Sequence, residues 1–154
     1  MPPGKDVSMA VRWKPYLWKE PRPVEPGELE KLESGWGVRL PEDYKRVVSL
    51  HQGMTPEPSG FKVGRGDNAF SVLLTVSSYE GKEGYSLLKA YQSICQYAPP
   101  GIYPFGSTPG GEDLCFDYRQ SLGQPRIVLV SVDASIHSVA NSFREFLEGL
   151  FEDW

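Results

Sequence analysis

Between Leu29 and Gly53 the chain repeats apolar residues at helical spacing and interrupts them once, at Leu40-Pro41. Leu29, Leu32 and Trp36 fall at i, i+3 and i+7. Tyr44, Val47, Val48 and His51 fall at i, i+3, i+4 and i+7, so each half carries one face to bury. Pro26 suits the first position of the first helix, where its missing N–H has no partner to lose. Glu28 and Glu30 lie near that helix's positive end, and Gly35 and Gly37 are expected to end it. Pro41 opens the second helix with Glu42 and Asp43 behind it, and Gly53 is placed for the left-handed turn that stops it. The stretch therefore predicts two short amphipathic helices meeting at a proline corner.

Residues 1–25 differ from everything after them. Pro2, Pro3, Pro15, Pro21 and Pro23 forbid a long helix, yet Trp13, Tyr16, Leu17 and Trp18 are costly to leave in water. An extended Pro/Trp-rich lead is expected, its aromatics laid across the domain or covered by a partner. Residues 26–154 then read as one domain, long enough to build a core without disulfides.

Downstream, 54–66 reads as a loop with a short strand at Phe61-Lys62-Val63, and Ala69–Val76 as a strand. Ser77–Gly84 is polar and loop-like. A helix is expected from Ser86 to Tyr97, its stripe formed by Leu87, Leu88, Tyr91, Ile94 and Cys95. Ile102–Ser107 and Glu112–Tyr118 predict a hairpin across Thr108-Pro109-Gly110-Gly111, and Arg126–Val132 a strand buried on both faces. Ser142 with Glu145 forms a capping box ahead of Phe143, Phe146, Leu147 and Leu150. Strands in succession joined by short turns favour an α+β fold. Its sheet should be largely antiparallel, of about four to six strands, with helices packed on one side.

Three blocks in order give this chain a family resemblance. Leu40-Pro41-Glu42-Asp43-Tyr44 with Gly53 is similar to the opening signature of the SMI1/KNR4 family, of the SUKH superfamily. Ile102–Gly106, Gly110-Gly111 and Leu114–Tyr118 resemble its apolar strand, glycine turn and apolar-Asp-apolar strand. Ser142, Phe143, Phe146 and Leu147 resemble the start of its final helix. The structural motif residues are thus Leu40, Pro41, Tyr44, Gly53, Gly111, Ser142, Phe143 and Phe146. Two departures stand out: Gln52 occupies a position where members often carry Asn, and the lead through about Arg22 has no counterpart. The resemblance implies a SUKH-like fold and a non-enzymatic, protein-binding role, most often as an immunity protein that neutralises a toxin. Fungal relatives imply the alternative, a housekeeping adaptor or regulatory scaffold.

Composition and spacing argue against other chemistry. A net charge of −4 disfavours a general nucleic-acid binder, which needs a basic face to displace counterions. No apolar run approaches the ~20 residues that cross a bilayer, and no apolar signal segment opens the chain, so a cytoplasmic protein is expected. Cys95 and Cys115 have neither zinc spacing nor a disulfide framework and read as two buried thiols. A cysteine hydrolase would have to recruit Cys115, His51 or His137, and Asp117, but Cys115 sits mid-strand, where burial keeps the thiol protonated. A metal site would draw on Glu112, Asp113, Asp117 and His137 without HxH or HExxH spacing. Gly106–Gly111 lacks the Lys-Ser/Thr pair of a phosphate loop. Accordingly no catalytic residue, metal or cofactor is assigned.

The candidate partner-binding residues are Glu80, Glu83, Glu112, Asp113 and Asp117, with Trp13 and Trp18 as aromatic anchors. Their chemistry fits a basic toxin domain, with a nuclease as the example whose own substrate is anionic. The protein is expected to be a monomer or weak homodimer.

Overall fold

Alternation along the central strands divides the buried residues between two faces of one sheet. In the computed structural model, which describes residues 11–152, five antiparallel strands run in the order β5 (Val72–Leu73), β6 (Ile102–Ser107), β7 (Asp113–Asp117), β8 (Arg126–Val130), β9 (Ile136–Ala140). Tyr103, Phe105, Leu114, Phe116, Ile127 and Leu129 face the main core. Ile102, Cys115, Val128 and Val130 form a smaller cluster behind them. The α+β, largely antiparallel architecture read from the sequence is the one observed.

The main face is covered by α1 (Glu28–Trp36), α2 (Glu42–His51) and α4 (Phe143–Glu148). From α3 (Leu87–Ile94), Leu87 joins the same core, while Ile94 at its end packs into the smaller cluster with Ala98 beside it. Two ribbons complete the fold: β1 (Arg12–Lys14) with β2 (Thr55–Glu57), and β3 (Gly60–Val63) with β4 (Gly66–Ala69). The first brings part of the lead onto the domain, pairing Trp13 with Pro56. Residues 1–10 of the lead, with Pro2 and Pro3, lie outside the described residues.

Tyr44 is the centre of the core. Its ring, 1% exposed, meets Phe116 at 5.0 Å and Phe143 at 5.6 Å, both edge-on, while Phe105 stacks on Phe116 at 4.6 Å. Such aromatic pairs add about 0.5–1.5 kcal/mol each beyond the area they bury. The corner preceding Tyr44 is fastened from both sides. The Glu33 carboxylate accepts from the Leu40 N–H at 2.7 Å, and the Tyr118 hydroxyl donates to the Arg39 carbonyl at 2.6 Å. Ser142 caps α4, accepting from the Glu145 N–H.

Several elements differ from the sequence expectation. Gly35 lies within α1, and Gly37, at φ 71°, ends it. The strand expected over 69–76 is divided: Ala69 ends β4 against Gly60, only Val72 and Leu73 form β5, and Thr75 turns its N–H to the Tyr85 carbonyl. Within 54–66 the short strand expected at Phe61-Lys62-Val63 is present as β3, and β2 is added to it despite Pro56, since an edge ribbon can do without some N–H groups. Strand β9 is unannounced because two of its five residues, His137 and Ser138, face solvent. Leu88 is 44% exposed, and Cys95 is exposed whereas Cys115 is buried, so only one thiol is a core residue.

Phe105 contacts Tyr44, Phe70, Phe116, Phe143 and Phe146 with no surface left open. Phe105→Ala should therefore cost roughly 3–5 kcal/mol, read as a lowered urea midpoint at unchanged slope. A loss below 1 kcal/mol would mean the ring cluster does not carry the core.

Candidate functional site

The chain from Arg12 to Val24 forms a strap fixed at successive points. Lys14 reaches Glu57 at 2.9 Å, and the Trp13 ring stacks on His51 at 5.5 Å, half-buried. Leu17 is buried and its N–H donates to the Gly53 carbonyl. Trp18 lies directly over Gly53, where a Cβ would come within 2.8 Å of the indole. That contact, together with φ of 74°, explains why glycine occupies the end of the signature. Farther on, the Arg22 guanidinium covers Trp18 at 4.6 Å and Tyr79 at 5.1 Å, and the Val24 N–H donates to Ser49.

Opposite the strap runs the 77–85 loop. Tyr79 meets Trp18 edge-on at 5.1 Å, and Tyr85 meets the half-exposed Tyr16 at 6.1 Å. Between these rings, Glu80 and Glu83 are exposed, and their carboxylates make no ion pair or hydrogen bond among the described residues. The structure thus brings Trp18, Glu80 and Glu83 onto one face. Trp13 sits on the inner side of the same strap.

A groove adjoins this face between α1 and α3, with a volume of about 470 Å³. Leu32, Trp36, Val76, Leu88 and Tyr91 line it, and Glu28 and Lys31 stand on its rim. Ser77 at the start of the loop donates to Glu28 at 2.9 Å, joining groove and loop.

The acidic residues of β7 and its turn are held differently. Glu112 accepts from Asn68 at 2.8 Å, Thr108 at 3.1 Å and Ser131 at 3.3 Å, so it ties the hairpin turn to two other segments. Asp117 is 5% exposed and bound by Arg119 through both side-chain and backbone nitrogens. Burial alone would raise its carboxyl, but those bonds and the Arg119 and Arg126 charges outweigh it and hold it below the usual range. Asp113 has no such cation, and burial pushes its carboxyl up to about 6.

The residues a cysteine hydrolase would need are not assembled. Burial, reinforced by the Asp113 and Asp117 charges, drives the Cys115 thiol well above its ordinary value. His51 is stacked on the strap and His137 stands exposed on β9, opposite Leu129. Among the described residues no three of His, Cys, Asp and Glu converge as a metal site. Nor is any described helix long and apolar enough to cross a membrane.

Gln52, Arg22, Tyr79 and the groove residues escaped the sequence reading as site residues. Gln52 had one signal, its departure from the commoner Asn of the resemblance. Tyr79 had none, because a loop tyrosine gives no periodicity.

The five-stranded sheet and the helices joined at the Leu-Pro corner define an α+β domain of SUKH type. The model of the SMI1/KNR4 family (SUKH-1) matches residues 23–149, and the chain belongs to that family. Its members are known in general as immunity and binding domains and are generally non-catalytic. No curated protein matches the chain. The strap up to Arg22 precedes the matched segment.

The Asp113 shift makes a signed prediction. A carboxyl raised from 3.8 to about 6 favours the folded state when protonated. Its contribution is complete below about pH 4 and is lost as pH rises through 6. Asp113→Asn should match the parent at pH 4 and exceed its stability by about 2 kcal/mol at pH 7.5, after allowance for partial solvent access. Paired urea titrations at the two pH values check this, and equal differences at both would refute it.

Proposed function

We propose that this domain is an immunity protein that neutralises one cognate toxin by stoichiometric binding, engaging it through the strap, the 77–85 loop and the α1–α3 groove. The observation that carries this reading is the juxtaposition of uncommitted acids, Glu80 and Glu83, with Tyr16, Trp18 and the Leu88–Trp36–Tyr91 groove. Aromatic anchors beside orienting charges are the composition of an energetic hot spot. Lys31 and Lys82 stand among the acids, so the field is local, and Glu80 and Glu83 steer and orient a basic toxin domain, with a nuclease as the leading example. Glu112, Asp113 and Asp117 enter through the fold, not through contact. The protein works as a monomer or weak homodimer in the cytoplasm, without cofactor or turnover.

The strap, outside the family match, favours one second reading: an adaptor whose several weaker partners recognise the added segment. Affinity capture of the tagged protein from its native lysate at low and moderate salt separates the two. One stoichiometric basic polypeptide supports the immunity reading, several substoichiometric ones support the adaptor, and no bound polypeptide at either salt refutes both.

With the partner in hand, the Glu80→Lys, Glu83→Lys double variant should slow association about tenfold at low salt and less at high salt. Stopped-flow association rates check this, and an unchanged rate would remove these acids from the interface.

A further inference from the structure

The 77–85 loop has little structure of its own, only a single 3-10 turn at Glu83–Tyr85 and short-range backbone bonds such as Lys82 N–H to the Tyr79 carbonyl. Most of what holds it comes from elsewhere in the chain. Tyr79 rests against Trp18 and Arg22, and Tyr85 against Tyr16, all three from the strap. At the junction stands Gln52, 1% exposed. Its amide nitrogen donates to the Arg22 carbonyl at 2.8 Å and to the Tyr79 hydroxyl at 2.9 Å, while its amide oxygen accepts from the Val76 N–H at 2.9 Å. One buried side chain thus joins the strap, the loop and the segment leading into it, with both amide N–H groups and the oxygen engaged.

We infer that the strap is a positioning device that Gln52 fastens to the 77–85 loop, setting the shape in which Glu80 and Glu83 are presented. Asparagine at this position would be shorter by one carbon–carbon bond, about 1.5 Å, and could not span from the Val76 N–H to the Arg22 carbonyl. Gln52 and the strap therefore act as a matched pair, the longer amide serving the segment that precedes the family match. The use of this device to shape a binding face rests on the function proposed above. The mechanical coupling itself needs no partner.

Hydrogen exchange of the free full-length protein, followed by mass spectrometry, tests the coupling. In Gln52→Asn and Trp18→Ala, amides of residues 77–85 should exchange about tenfold faster while β6, β7 and β8 keep their protection. Tyr16→Ala, at a half-exposed ring that leaves the fold intact, should loosen only the Tyr85 end. Unchanged loop exchange in Gln52→Asn and Tyr16→Ala would overturn the inference. An equal rise across β6–β8 would overturn it too, by making the strap part of the core. Because no partner enters this measurement, failure of the immunity reading in the capture experiment would leave its result standing.

Discussion

The fold depends on the burial of Tyr44 among phenylalanines. A single ring from α2 reaches Phe105 and Phe116 on the sheet and Phe143 on α4, so two helices and two strands share one contact. Burial, with a smaller contribution from Tyr118, pushes its phenol far above the ordinary value, so the hydroxyl stays neutral at any pH the protein meets. The Leu-Pro corner sets where that ring enters. Glu33 and Tyr118 take up the backbone groups that the turn exposes, while Pro41 has no N–H to satisfy and its carbonyl accepts from the Lys45 N–H. Once the N-terminal end of α2 is set, its other end is set as well. That end carries His51, Gln52 and Gly53, three of the residues on which the strap rests.

What was legible in the sequence follows from this arrangement. Helices α1, α2 and α4 each bury a regular face, which leaves a period in the sequence, while strands β6–β8 are buried on both faces and show as short apolar runs bounded by turn residues. Strand β5 is two residues long, and β1 and β2 are three each, so their extent is decided by what lies alongside and not by pattern. Pro104 shows the same dependence. It sits inside a central strand because β5 pairs only with Gly106 and Ser107, and a bulge separates them from Pro104. Leu88 kept the helical spacing but lines an open groove, since periodicity reports which face a residue is on and not whether anything covers it.

Charge is the property least readable from sequence alone. Glu80, Glu83, Glu112, Asp113 and Asp117 look alike on paper, and the structure gives them three different states. Glu112 and Asp117 are bound to neighbours, Asp113 is driven toward its neutral form, and Glu80 and Glu83 remain solvated. The difference lies in long-range partners such as Asn68, 44 residues from Glu112. A carboxylate already satisfied by its own fold must break those bonds before it can meet a partner, so it contributes less to binding than a solvated one.

The core and the exposed face thus draw on different parts of one small domain. The aromatic core and the capped corner involve residues inside the family-matched segment, whereas much of the exposed face is set by the strap and the loop it meets. Changes at Tyr16, Glu80 or Glu83 alter the exposed surface without opening a cavity beneath, because none of the three is a core residue. Gln52 is the exception, since it is buried as deeply as the core yet acts on the surface. Its three bonds tie the exposed 77–85 loop to the strap from one layer below the surface.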